Sequence, residues 1–504
     1  MARRLTSIAT SLLLLSAGVA CKSKDIDPAS GVSVHEAWYA AAEKAEARSD
    51  RLKRCTSAPN PPGLEWSRSI VRALCGDNRT LVIEAEELRD RIERADWSGL
   101  HSLYAGYLRR HHSGADPERL LYRAFRTAGW SGPEELDEYS RRWSEAAPDD
   151  PYASTLRAKV LMEQAWAIRG ERPAREIPRE RLDAVRRLAG ESSALAERAI
   201  LAEPGLLPAH MELLRALALS GGRGRSAEVL AKAVDVSPSN YYVRQTAIHF
   251  LSPNWGGSME RIDAVIRDAQ AYGERNPRLA LLKVERDSYE GAQLSHRRQF
   301  GPALDAYRRA LAGGPEYSTI ESAAWVADMA GRHAEAAMLG SQLLRFAGNT
   351  AERLASRAYS WEKMDEWQRA LRDYAGAAQR DPGNAAHPYR MASIHHRRQN
   401  FDLAEQQYLR TLELDPEHTE ALRGVCRMWV HLTLEPGMAE PYAARLTRLL
   451  PEDPDAWLLL ANVQHSLKRP EVHATARRFL ELAPADDPEF RDPIANIMRF
   501  LGEE

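Results

Sequence analysis

The chain has 504 residues, 44% of them hydrophobic and 28% charged, a globular balance with enough apolar mass for a large core or a long stack of helices. Lys plus Arg is 69 against 71 for Asp plus Glu, a net charge of -2, which argues against nucleic acid as a partner. Val, Ile and Thr are sparse while Ala, Leu, Arg and Glu dominate; these residues lose little entropy in a helix, so the expected fold class is all-α.

Arg3 and Arg4 open the chain, Ile8–Ala20 form a short apolar run holding Leu12 to Leu15, and Cys21 follows. The run is too short for a permanent bilayer helix. It resembles a bacterial lipoprotein signal, in which the Cys at the cleavage point is acylated. Val19 and Ala20 suit that pattern and Gly18 departs from it. Gly18 and Ala20 equally suit an ordinary signal peptidase. Two expectations follow: an envelope lipoprotein anchored to the membrane through Cys21, or a periplasmic or secreted chain.

Lys22–Val34 reads as a tether without apolar periodicity. His35–Lys53 reads as a helix with Trp38, Ala41, Ala42 and Ala45 on one stripe, and Trp66–Leu74 as a second, shorter one. Between them Ser57–Gly63 is a loop. In an exported protein Cys55 and Cys75 are expected to pair as a disulfide clamping these helices, with Cys426 left as a buried thiol. Asn78-Arg79-Thr80 is read as a loop and helix start. Leu81–Arg94 is amphipathic, Asp96-Trp97-Ser98-Gly99 ends it, and Leu100–Arg110 begins the next helix. Pro117, Pro133 and Pro151 sit where helices begin. Arg169–Arg179, with Gly170, Pro173 and Pro178, is an irregular connection.

From there a period takes over. Pro204, Pro238, Pro277, Pro315, Asn349, Pro382, Pro416, Pro451 and Pro484 are separated by 34, 39, 38, 34, 33, 34, 35 and 33 residues. Small and aromatic residues recur before these markers, as Ala303, Tyr307 and Ala310 do before Pro315. Such a period marks stacked helical hairpins. The two central blocks, Ala351–Asn384 and Ala385–His418, carry Leu354, Ala358, Trp361, Ala370, Tyr374, Ala377 and Pro382, then Ala392, Ala404, Tyr408 and Pro416. In these residues the chain resembles the tetratricopeptide repeat family over roughly Ser192 to Asp487. Arg357 departs from it, at a position usually apolar, and the intervals ending at Pro277 and Pro315 are too long. The resemblance implies a right-handed α-solenoid of helical hairpins whose first helices line a binding groove. A second resemblance, over Leu81–Gly291, rests on Ala95–Leu100, Trp166 with Arg169-Gly170, and Pro253-Asn254-Trp255-Gly256-Gly257-Ser258. It is to a bacterial family called domain of unknown function 4034, which implies no chemistry.

The expected organisation is a signal peptide at 1–20, a tether and short helical segment at 21–79, and an irregular helical region with diverged repeats at 80–291. A regular array at 292–487 and a cap at 488–504 follow. No HExxH, CxxC, GxSxG or phosphate-loop pattern occurs, and the adjacent pairs His111-His112 and His395-His396 have poor geometry for a metal. No cofactor is expected. The expected function is non-enzymatic binding of a protein or peptide by an envelope-anchored scaffold. By the repeat resemblance the groove is lined by Ala355, Tyr359, Glu362, Tyr389, Ser393 and His396, with Arg423 and Arg427 able to pair with an acidic group. The Lys/Asn carboxylate-gripping set of that family is absent. The opposing expectation is an enzyme of unknown chemistry with its site at Trp255-Gly256-Gly257-Ser258. That block reads either as a packed turn with Ser258 as helix cap or as a ligand contact at an exposed helix N-terminus.

Overall fold

The computed structural model of the chain describes residues 32–76, 82–114, 118–125, 132–170, 176–431 and 436–503. The leader with Cys21, the tether before residue 32, the Asn78-Arg79-Thr80 stretch and Pro117 lie outside them. Among the described residues there are 26 α-helices and no strand, and no helix is long and apolar enough to cross a membrane.

From Glu285 onward the helices pair as hairpins. Glu285–His296 packs on Phe300–Gly313, Tyr317–Met329 on His333–Ala347, and Ala351–Lys363 on Trp367–Arg380. Ala386–Arg397 packs on Phe401–Leu414, Thr419–His431 on Pro436–Leu449, and Pro454–Ser466 on Val472–Leu482, with Pro488–Leu501 closing the stack. Each second helix also packs on the first helix of the next hairpin, which makes the stack a continuous α-solenoid. Pro315, Asn349, Pro382, Pro416, Pro451 and Pro484 all fall between hairpins, where a helix has ended. Ala358, Ala370, Ala377, Ala392 and Ala404 are fully buried and let neighbouring helices approach closely. Tyr307 and Tyr408 lie flat over glycines. A Cβ on Gly291 would come within 2.9 Å of the Tyr307 ring, and one on Gly424 within 2.5 Å of the Tyr408 ring.

The described turns inside these hairpins share one conformation. A residue with positive φ follows the first helix: Arg298 (60°), Gly331 (72°), Asp365 (60°), Gln399 (59°) and Lys468 (56°). The amide of Asp365 donates to the Glu362 carbonyl and that of Glu366 to Trp361, a Schellman closure that the other four repeat. Ala95 (54°) makes the same turn between Ala85–Glu93 and Trp97–His112. Ala95-Asp96-Trp97 and Tyr104-Ala105-Gly106 match Asp365-Glu366-Trp367 and Tyr374-Ala375-Gly376 at equal spacing. A repeat-like hairpin therefore stands about a hundred residues ahead of Ser192.

Between that hairpin and the regular array, Pro151–Arg169, Arg179–Ala202 and Leu207–Ser220 pack around Leu161, Ala196, Leu213 and Leu217. Ser226–Val236, Tyr241–Leu251 and Met259–Gln270 follow. The 3₁₀ segments Pro253–Trp255 and Pro277–Val284 fall in the two intervals that are too long. Extra tight turns, inserted between helices, account for their length.

Residues 32–76 are a strap laid along the array rather than a separate unit. Val32–Glu46, Arg51–Ser57 and Arg68–Gly76 are its helices. Trp38, Tyr39 and Ala42 are buried against Ala337, Met338 and Trp361. Cys55, Trp66, Val71 and Cys75 share a core with Leu311 and Phe346. Trp66 Nε1 donates to the Leu311 carbonyl at 2.7 Å, and Arg345 Nε to that of Cys55 at 2.8 Å. A disulfide joins Cys55 to Cys75, with their Cα atoms 5.7 Å apart. The helix His333–Ala347, covered by the strap, is buried continuously from Ala336 to Leu344. Cys426 is a buried free thiol, pushed up to about 12 by burial.

Candidate functional site

A groove of about 870 Å³ runs along the first helices of four consecutive hairpins, from Ala292 to Arg390, with second-helix residues such as Tyr307 and Gly340 at its floor. Helix Tyr317–Met329 buries Ile320, Ala323, Val326 and Ala327, which commits one face to the core. Its other face therefore carries Trp325 and Met329 into the groove, 53% and 45% exposed. Phe300 packs edge-on against the Trp325 indole, with ring centroids 5.7 Å apart. On the opposite wall helix Ala351–Lys363 presents Ala355, Tyr359 and Arg353. The Tyr359 ring carries the Lys363 ammonium at 5.2 Å and the Arg390 guanidinium at 5.7 Å. Arg353 lies over Tyr317 at 5.3 Å and donates to its hydroxyl at 2.6 Å. Asp328 accepts from Ser360 at 2.9 Å and pairs with His333 at 2.9 Å. Burial nevertheless leaves its carboxyl above the ordinary range. The result is a half-apolar trough in which aromatic rings are pinned by cations.

Ala355 and Tyr359 line this groove, and the other expected lining residues lie elsewhere. Glu362 is 4% exposed and turned inward, accepting from Tyr374 at 3.1 Å and from Arg397. A carboxylate that deeply desolvated needs such partners, so it is a strut and not a surface for a ligand. Tyr389 stacks on His418 with centroids 4.7 Å apart, and His396 packs edge-on to Phe401 and Tyr408. Burial, with Arg427 nearby, pushes the His396 imidazole below its usual value. Ser393 is half-buried on the same helix. Arg423 and Arg427 are already engaged. Arg423 binds both Asp453 and Asp455, the cap and first turn of the next hairpin, and Arg427 reaches Asp455 at 2.7 Å. The pair staples two units together, which corrects its assignment as a free grip for an acidic group. Trp325 and Met329 were the residues missed; their signal is a Trp lying off the buried stripe of an amphipathic helix.

The Trp255-Gly256-Gly257-Ser258 block is a packed turn. The Trp255 indole is edge-on to Trp166 (5.4 Å) and Phe250 (5.3 Å), with Arg169 at 5.3 Å. Gly256 has φ 77°, and a Cβ on Gly257 would lie 1.8 Å from the Leu251 carbonyl oxygen. Ser258 caps Met259–Gln270 through the Arg261 amide. The helix N-terminus is thus occupied by its own side chain. Among the described residues no group of three or more His, Cys, Asp or Glu side chains is placed to hold a metal. His111 is half-buried, and desolvation of its ring together with His112 pushes it down to about 4.

No family model matches the chain, and no curated protein matches it. Among solved structures, a tetratricopeptide repeat protein from Parabacteroides merdae is 14% identical at a TM-score of 0.31, covering 58% of this chain and 98% of its own. MamA is 17% identical at 0.29, covering 32% of this chain and 92% of its own. The Cut9–Hcn1 hetero-tetramer of APC/C is 12% identical at 0.30, covering 85% and 83%. Likenesses at this level carry no functional reading; the solenoid stands on the helix pairing in this chain.

Proposed function

We propose that this protein is a non-enzymatic scaffold whose groove binds an extended segment of a partner protein, one that presents a large apolar side chain. The observation that carries this is the pair Trp325 and Met329, exposed one helical turn apart in a groove of the array that Tyr359 also lines. Exposed apolar surface of this kind, rimmed by polar groups, marks interaction sites. The ring packing of Trp255 and the tight turn at Gly257 favour this reading over an enzyme with its site there. The leader sequence supports export, with Cys21 as a lipid anchor that would hold the scaffold at a bacterial membrane.

Affinity capture from membranes tests the groove. Trp325→Asp is expected to lower partner recovery about tenfold or more, because buried aromatic anchors dominate such interfaces. Recovery of no partner, or of the same set by the variant, would refute the assignment. Mass spectrometry of the mature amino terminus tests the anchor: a diacylglyceryl-modified Cys21 is expected, and an unmodified Cys21 ends that part of the reading.

A further inference from the structure

We propose that the amino-terminal strap sets the order of the groove wall through one of its ionic joints to the array, Glu46 on Arg357. The inference rests on the groove reading above. Arg357 belongs to helix Ala351–Lys363, which also carries Ala355 and Tyr359, and its own stem forms part of the groove lining. Arg357 is 3% exposed, and all five of its guanidinium N–H donors are used. Asp373 takes two, from Nε at 2.7 Å and Nη2 at 2.9 Å, and the Ser341 hydroxyl takes one at 2.9 Å. Glu46 of the strap takes the remaining two, from Nη1 at 2.5 Å and Nη2 at 3.1 Å. Two of five bonds on a buried cation therefore come from a segment over three hundred residues away in sequence.

If the strap lifts, those two donors lose their carboxylate and the face it covered opens to water, so the helix loses an ionic tie and part of its burial together. The Tyr39 ring, 4.7 Å from that of Trp361 on the same helix, leaves with it. Helix Ala351–Lys363 is then held less firmly, and Ala355 and Tyr359 lose order with it. Binding in the groove and docking of the strap accordingly stabilise each other, since coupling between two sites is reciprocal. Glu36 offers an internal control. It binds Arg369 on the neighbouring helix at 2.5 Å and makes no contact with Arg357.

Hydrogen–deuterium exchange on the full-length protein, without any partner, tests the joint. Glu46→Gln is close in shape and sits at a partly exposed position, so the chain is expected to fold. It should speed exchange about tenfold in Ala351–Lys363 as well as in Val32–Glu46, while Pro454–Ser466 stays as in wild type. Glu36→Gln should leave Ala351–Lys363 unchanged. Faster exchange confined to Val32–Glu46 in Glu46→Gln would overturn the proposal. So would an equal effect of Glu36→Gln on Ala351–Lys363, which would mean general loosening. Exchange needs no ligand, so an empty partner capture would sink the groove reading and leave this result standing.

Discussion

At the scale of residues, the repeat's aromatic positions were readable while their partners were not. Tyr307 and Tyr408 recur at a fixed offset before Pro315 and Pro416, but nothing in that spacing says that each ring lies on a glycine of a neighbouring helix. Gly424→Ala would place a methyl 2.5 Å from the Tyr408 ring, so the ring or the helix must shift. It is expected to destabilise the protein by about 1–3 kcal/mol, seen as a lower urea midpoint. A midpoint equal to wild type would show that the ring can move aside. Glu285 sets a pH dependence. Its residue keeps a partly exposed edge, yet burial of the carboxyl, with the Glu316 carboxylate near, pushes it up to about 8. The unfolded chain loses that proton near 4.5, so between there and about 8 the folded state binds more protons than the unfolded. Stability from this site is therefore whole below the lower value and falls as pH rises through the window. Glu285→Gln should flatten that slope in urea titrations at pH 5 and pH 8.5, and an unaltered slope would place its cause elsewhere.

At the scale of elements, the hairpins were legible because helix breakers punctuate them at one period. Their inner turns were less so, because the residues that adopt positive φ there are chemically unrelated: Arg298, Asp365, Gln399 and Lys468. Only Gly331 lacks the Cβ that this backbone disfavours. The two helices either side of Ala95 were legible, but their likeness to the array's hairpins was not, although Trp97 and Tyr104 repeat the spacing of Trp367 and Tyr374. A left-handed residue with a Cβ costs about 1–2 kcal/mol, and glycine returns part of that as unfolded-state entropy. Gln399→Gly should therefore stabilise its hairpin by about 0.5–1 kcal/mol, and Lys468→Gly likewise. Thermal unfolding checks both; a lower Tm would mean that the side chain makes a contact outweighing its backbone strain. The Arg423–Asp453–Asp455 cluster lay beyond sequence reading for another reason. Two arginines one turn apart look like a free cationic face until the next hairpin brings up its capping aspartates.

At the scale of the whole molecule, the strap is what the sequence concealed, and two residues had pointed to it. Arg357 stood out as a charge where the repeat favours an apolar side chain. Helix His333–Ala347 is apolar around most of its circumference, with Met338, Leu339, Leu343, Leu344 and Phe346, more than one core face requires. Both are explained by a covering segment that supplies Glu46 to one and Trp38 and Trp66 to the other's surroundings. The Cys55–Cys75 bond closes a loop across 20 residues within that segment, which stabilises it by about 3 kcal/mol on loop-entropy grounds. Both cysteines pack in the core shared with Phe346, so the clip acts on strap and array at once. A Cys55→Ala/Cys75→Ala variant should unfold in two stages. The strap would detach first, at lower urea, uncovering His333–Ala347, and the outer hairpins would follow near the wild-type midpoint. Exchange of Val32–Gly76 and His333–Ala347 should accelerate together, because one covers the other. If the strap amides exchange faster while His333–Ala347 remains protected, that helix owes its burial to the hairpins alone and the strap is an attachment rather than a layer of the fold.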